Sequence, residues 1–153
     1  MTMTLSRLTI AAIFIAAASA MVEAHITIAP NQSMAGGTEK YTLRVPSEGK
    51  VATVAAELEI PEGVIVEAIA VPSGWKYEAK RANDRIVAIT WTMNIPPGEF
   101  AEFAFVARNP RDQKEIVWTL RQRFADGTVS DWTKGPNGIR STSKTALTPR
   151  PGQ

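Results

Sequence analysis

His25 is the one histidine in the 153-residue chain, and it stands directly after a segment that reads as an export leader. A histidine at a free amino terminus carries two donor nitrogens, the α-amine and the ring Nδ1. Closed on one ion they form a six-membered chelate, a geometry suited to tetragonal Cu(II). The α-amine must be neutral to bind, and its ordinary pKa is about 7.7–8.0. Cu(II) displaces that proton at neutral pH, so affinity is expected to fall as the medium acidifies.

Whether that amine is free depends on the preceding residues. Met1 to Arg7 carries one positive charge, and Leu8 to Ala18 is apolar except for Thr9. Val22-Glu23-Ala24 then supplies small or apolar residues at −3 and −1, which favours a cut before His25. A rival cut after Ala20 would leave Met21 first and His25 internal. The apolar run is short for a membrane span, and no later run replaces it. The expectation is a signal peptide at 1–24 and an exported mature chain, periplasmic or extracellular, with no membrane span.

Composition narrows the metal. The chain has no cysteine, and the only methionines after the leader are Met34 and Met93. Cu(I) prefers soft sulfur, which is nearly absent here. Zinc usually takes three or four protein ligands, more than one histidine supplies. Nitrogen and oxygen donors around one terminal histidine therefore point to one Cu(II) per chain. With a single histidine, neither a Ser/His/Asp set elsewhere nor a two-histidine copper monooxygenase centre can be assembled, so an enzyme is not expected. The formal net charge of +2, with no basic run beyond Arg121-Gln122-Arg123, argues against nucleic acid as a partner.

A carboxylate is the natural third ligand. If the strand from His25 is followed by an antiparallel return after Ala35-Gly36-Gly37, the far end of the return, Pro46-Ser47-Glu48, comes back to the level of His25. Glu48 is then the first candidate, with Glu39, Glu99 and Glu102 behind it. Of the four tryptophans, Trp91 and Trp118 are expected in the core. Trp132 follows a hairpin and precedes Lys134-Gly135-Pro136, a place from which it could cover a metal site.

The elements that must position these residues are short strands. Strand-like segments fall near 25–29, 40–45, 51–60, 64–71, 86–92, 100–107, 115–123 and 128–132, several with period-two alternation. Between them lie turn signals such as Pro61-Glu62-Gly63, Pro96-Pro97-Gly98 and Asp126-Gly127, the last a two-residue hairpin signal. No amphipathic helix follows the leader. Removing residues 1–24 leaves 129 of the 153, enough for one domain with a core that does not need disulfides. The expected fold is all-β, an antiparallel immunoglobulin/cupredoxin-like β-sandwich of about 7–8 strands. It should occupy 25–140, with 141–153 as a flexible C-terminal tail.

The ordered set Ala24-His25-Ile26-Thr27-Ile28-Ala29-Pro30, Ala35-Gly36-Gly37 and "YTLRVPSE" at 41–48 resembles the opening of the YcnI-like domain family. The likeness continues through "PEGV" at 61–64, "VPSGWKYE" at 71–78, "ITW" at 89–91, "IPPGEFAEFAFVARNP" at 95–110 and "FADGTVSDW" at 124–132. It covers nearly the whole mature chain. The resemblance implies an exported β-sandwich holding one Cu(II) by a single-histidine brace at His25. It also implies a carboxylate ligand at Glu48 and a tryptophan near the metal at Trp132. It further implies a role in copper acquisition, delivery or homeostasis, beside other exported copper chaperones or a membrane copper transporter. The chain departs from its relatives at Thr92-Met93-Asn94, where many have two glycines, and at Ser73-Gly74-Trp75 in place of PGW. It also shows no carboxy-terminal membrane anchor of the kind some relatives carry, so a freely diffusing form is expected. The competing class is an interaction or adhesion sandwich without a metal, because the fold alone specifies no function.

Overall fold

The computed structural model describes residues 25–47, 49–132 and 143–152. Two sheets pack face to face. The smaller is built from β1 (Thr27–Ala29), β3 (Thr38–Pro46), β8 (Phe100–Arg108) and β5 (Ile65–Ile69), in the order β1-β3-β8-β5. The larger runs β2-β11-β9-β4-β7-β6. Its strands are β2 (Gln32–Met34), β11 (Ser143–Thr148), β9 (Glu115–Phe124), β4 (Thr53–Glu59), β7 (Arg85–Ile95) and β6 (Lys76–Ala82). The short β10 (Val129–Asp131) pairs with β9 beside them.

Alternation explains which side chains face inward. In β3, Tyr41, Leu43 and Val45 are buried, and in β8 so are Ala101, Phe103, Phe105 and Ala107. Opposite them, β9 turns in Ile116, Trp118 and Leu120, and β7 turns in Ile89 and Trp91. Successive strand residues point to opposite faces, so each strand gives one apolar row to the space between the sheets. Aromatic rings fill that space in offset and edge-on pairs. Tyr41 lies 4.9 Å from Trp118 edge-on and Trp91 lies 5.2 Å from Phe103 stacked, both within the favoured range for such pairs. Trp91 and Trp118 are core residues, as expected.

The sandwich is confirmed as the fold, but it contains eleven strands among the described residues rather than seven or eight. Three were not foreseen. β2 is three residues long and pairs parallel with β11, so the chain does not simply turn back after β1 but crosses to the other sheet first. β6, Lys-Tyr-Glu-Ala-Lys-Arg-Ala, is an edge strand with six of its seven residues exposed, so it carries no alternating signal. Its turn uses Asn83 and Asp84, both at positive φ, as a two-residue hairpin requires. β11 lies in the segment expected as a loose tail. It pairs antiparallel with β9 and buries Thr145 and Leu147, so 143–148 is an interior strand of the larger sheet. Its polar start and the prolines just after it hide a short apolar phase.

Asp126-Gly127 lies in the hairpin that joins β9 to β10, but the loop is longer than the two residues expected: the Phe124 N–H donates to the Thr128 carbonyl at 2.9 Å and the Gly127 N–H to the Phe124 carbonyl at 3.0 Å, so residues 125–127 lie between the paired positions. Gly127 takes φ 84°, and the Asp126 carboxylate accepts from the backbone N–H and the hydroxyl of Thr128 at 2.9 and 2.7 Å. Only glycine enters that φ without cost. This turn sends the chain back along β9 to Trp132.

Candidate metal centre

β1 is short, and its pairing with β3 determines where His25 falls. Thr27 faces Arg44, Ile28 faces Leu43 and Ala29 faces Thr42, antiparallel. Ile26 and Ile28 point into the core, which anchors the strand. Extending the same register by two residues brings His25 to the level of Pro46, itself opposite Phe100 in β8. The edge of β1 is tied to the other sheet, where the Ile28 N–H donates to Ser143 Oγ at 2.9 Å. His25 therefore sits half-buried at one end of the sandwich, on the side where β1 meets the larger sheet.

Trp132 reaches the same place from the other sheet. β10 holds Val129, Ser130 and Asp131 opposite Arg123, Gln122 and Arg121. The Trp132 N–H then donates to the Leu120 carbonyl at 2.9 Å, which continues the pairing by one step. This places its side chain in the inward phase, 1% exposed. Its ring centroid lies 5.4 Å from that of His25, at an interplanar angle of 55°. The two residues are far apart in sequence and belong to different sheets, and they meet where the sheets pack together. An indole offers a donor N–H but no lone pair for a metal, so Trp132 is a packing neighbour of the imidazole and not itself a donor to a metal.

Glu48 lies outside the described residues, but the backbone leading to it is placed. The Ser47 N–H donates to the Glu99 carbonyl at 2.8 Å, and the Gly98 N–H donates to the Ser47 carbonyl at 2.9 Å. Ser47 Oγ accepts from the Thr53 N–H at 3.1 Å and donates to the Val51 carbonyl at 3.3 Å. The β3 end thus returns to the His25 level, as the antiparallel expectation required.

The other carboxylates separate by geometry. Glu39 stands at the opposite end of β3 from Pro46, facing Ala107, and accepts from Ser33 Oγ at 2.8 Å. It is too far along the strand to join His25. Glu102 is engaged with Arg44, whose Nε and NH2 donate to its Oε1 at 3.0 and 2.9 Å on the outer face. Glu99 lies in the turn bonded to Ser47. Among the described residues no group of three histidine, aspartate or glutamate side chains could hold a metal. A brace differs from such a cluster in drawing two nitrogens from one residue.

A buried polar group behind this end was missed by sequence reasoning. Gln122 occupies the inward phase of β9, after Ile116, Trp118 and Leu120, and is buried with Thr53 and Ser47. Its Nε2 donates to the Pro46 carbonyl at 2.6 Å and to Thr53 Oγ1 at 2.7 Å. The signal was present as a polar residue in an apolar row. It was hidden because Arg121-Gln122-Arg123 reads as a short basic run.

A family model described as a domain of unknown function, DUF1775, matches residues 25–152. The chain belongs to the DUF1775 family. The YcnI-like resemblance read from the ordered motifs is borne out. The DUF1775 chain is also 33% identical over 133 residues to the copper-binding protein CutI of Bacillus subtilis, across 85% of this chain. It spans 65% of that relative's length. Among solved structures it is similar to an uncharacterized protein from Nocardia farcinica with an immunoglobulin-like fold. The TM-score is 0.68 at 23% identity, covering 80% of this chain and 97% of that one. That likeness supports the sandwich architecture. No enzyme family is indicated for this DUF1775 chain.

Proposed function

We propose that the mature protein is an exported copper-binding protein that holds one Cu(II) through the α-amine and imidazole of His25. Glu48 supplies the carboxylate and Trp132 packs beside the ring. Its role is copper acquisition, delivery or homeostasis, in exchange with other exported copper chaperones or a membrane copper transporter.

What carries this is the packing of the single histidine against a buried tryptophan, at the sandwich end to which Ser47 returns. The donor set fits the ion, because nitrogen and carboxylate oxygen suit Cu(II) and no thiol competes. An imidazole already packed against an aromatic ring loses little freedom on binding. Two further observations support the reading. The family match begins at His25, where a cut after Ala24 would start the mature chain. The relative CutI is itself named for copper binding.

The test compares two forms of the protein by electron paramagnetic resonance with one equivalent of Cu(II). One begins at His25, and the other carries a single extra residue ahead of it. The first should give a tetragonal nitrogen/oxygen spectrum, and the second should bind more than about tenfold more weakly with altered hyperfine splitting. Equal affinity and identical spectra would rule out the brace. Glu48→Gln should weaken binding and shift the equatorial parameters of the same spectrum.

A further inference from the structure

β1, β5, β2 and β6 lie at the sheet edges. β1 and β2 have three residues each, and β5 is interrupted by a register shift between Val66 and Ala68. β6 differs in having seven residues and no proline. The shift at Lys80/Arg81 leaves the extra residue, Val87, on β7, so β6 itself stays regular. The smaller sheet does not fully cover it. Tyr77 shares the inward phase of its register partner Trp91, yet it is 37% exposed where Trp91 is buried.

Which main-chain groups of β6 point outward follows from β7. The Ile60 N–H donates to the Val87 carbonyl, in the register that pairs Leu58 with Ile89 and Ala56 with Trp91. Antiparallel bonding alternates, so Val87, Ile89 and Trp91 face β4, while Ala88, Thr90 and Thr92 face β6. Their partners Lys80, Glu78 and Lys76 are thereby committed to β7. Tyr77, Ala79 and Arg81 turn their N–H and carbonyl groups outward along the edge. Such an edge recruits another strand unless charge or shape forbids it.

Charge selects the strand that fits. Lys76, Glu78 and Lys80 alternate with these residues on the outer face, and no ion pair engages any of them among the described residues. A second β6 laid antiparallel about a two-fold axis can be centred on any residue from Tyr77 to Arg81. Centring on Glu78, Lys80 or Arg81 sets that charge against its own copy. Centring on Tyr77 runs Lys80 past the end of the strand, opposite Gly74. Centring on Ala79 uses the whole strand. Glu78 then faces the partner's Lys80, and Lys80 the partner's Glu78, at non-hydrogen-bonded positions where cross-strand side chains come closest. Tyr77 faces the partner's Arg81, a cation beside an aromatic ring, and the small Ala79 sits on the axis.

We propose that β6 is the interface of a symmetric dimer, in which two copies of this chain pair antiparallel about Ala79 and join their larger sheets. The contact is self-complementary, as a two-fold interface requires. In the sheet order β4 and β7 separate β6 from β9, whose Leu120 carbonyl holds Trp132, so both His25 ends stay uncovered. The inference does not depend on the metal. One strand pair buries less surface than stable complexes do, so the dimer is transient and concentration-dependent.

The test is sedimentation velocity on the mature protein from about 10 μM to about 1 mM. Wild type should pass from monomer to dimer over this range. Glu78→Lys and Lys80→Glu should each self-associate at least about tenfold more weakly, since each sets like charges opposite one another twice. Mixed in equal amounts, these two variants should associate with each other as wild type does. The double variant Glu78→Lys/Lys80→Glu should recover its own dimer. Both positions are exposed, so melting temperatures should stay at the wild-type value. Amide exchange followed by NMR adds a residue readout. Raising the concentration should slow Tyr77, Ala79 and Arg81 and leave Lys76, Glu78 and Lys80, already bonded to β7, as they were. A monomer throughout, or a dimer that neither single variant weakens, would overturn the proposal. So would single variants that fail to associate when mixed, or protection appearing on β1, β2 or β5 instead.

Discussion

Trp132 contributes in two ways that mutation can separate, since its indole fills the end of the core and also flanks His25. Trp132→Ala should cost about 3–5 kcal/mol of stability by urea unfolding, because a large ring leaves a cavity. Trp132→Phe keeps most of the packing. It should lower the fraction of tryptophan fluorescence that bound Cu(II) quenches, while shifting the melting temperature far less than alanine does. Tyr41 gives a second residue-scale expectation. Burial pushes its phenol up to about 12, and its hydroxyl donates to Asn109 Oδ1 at 2.6 Å. The folded state then keeps a proton that the unfolded chain releases at its ordinary value near 10. Stability from this group is complete below about pH 10 and is lost as pH rises toward about 12. Alkaline unfolding followed by circular dichroism should show that loss, and Tyr41→Phe should flatten it.

Among the strands, those with alternating apolar residues were readable because burial on one face writes itself into the sequence. β8 and β9 are such cases, with Phe103 and Phe105, then Ile116, Trp118 and Leu120, facing in. β6 was not readable, since an edge strand with lysines at 76 and 80 buries almost nothing and uses charge to restrict further pairing. β11 was missed for a different reason. Its hold on the molecule is partly polar, with Thr145 Oγ1 accepting from Trp118 Nε1 at 3.0 Å and donating to the Pro30 carbonyl at 2.9 Å. Thr145→Val should therefore destabilise by about 1–3 kcal/mol, the cost of leaving the buried indole N–H without its acceptor. Shortening the chain to end at 142 should expose the Ile116 and Trp118 amides of β9 to rapid hydrogen exchange, because these alternate N–H groups face β11 and would lose their antiparallel partner. The site divides in the same way. His25 and Trp132 stand out by rarity and by motif, whereas Gln122 acquires meaning only once β9 has turned it inward beneath Pro46.

On the scale of the whole molecule, the two ends of the sandwich have different contents. One end gathers His25, Trp132 and the Ser47 turn. The other holds the Gly36–Gly37 turn, where the Gly36 N–H donates to the Pro110 carbonyl, and a cleft lined by Arg108, Arg111 and Asp112. β11 starts beside Ile28 and runs toward this second end, finishing where the Ala35 N–H meets the Thr148 carbonyl. The sheet length between the Pro46 and Thr38 levels is about 25 Å at strand rise. The two ends of the sandwich therefore differ, with His25 at one and the end of β11 at the other. Anything joined after residue 152, whether a purification tag, a surface linker or a fused domain, should leave Cu(II) affinity and spectrum as they are. On the proposed copper reading, the same appendage placed before His25 should weaken binding by more than about tenfold and alter the spectrum, so the molecule could be held by its tail with the His25 end left unobstructed.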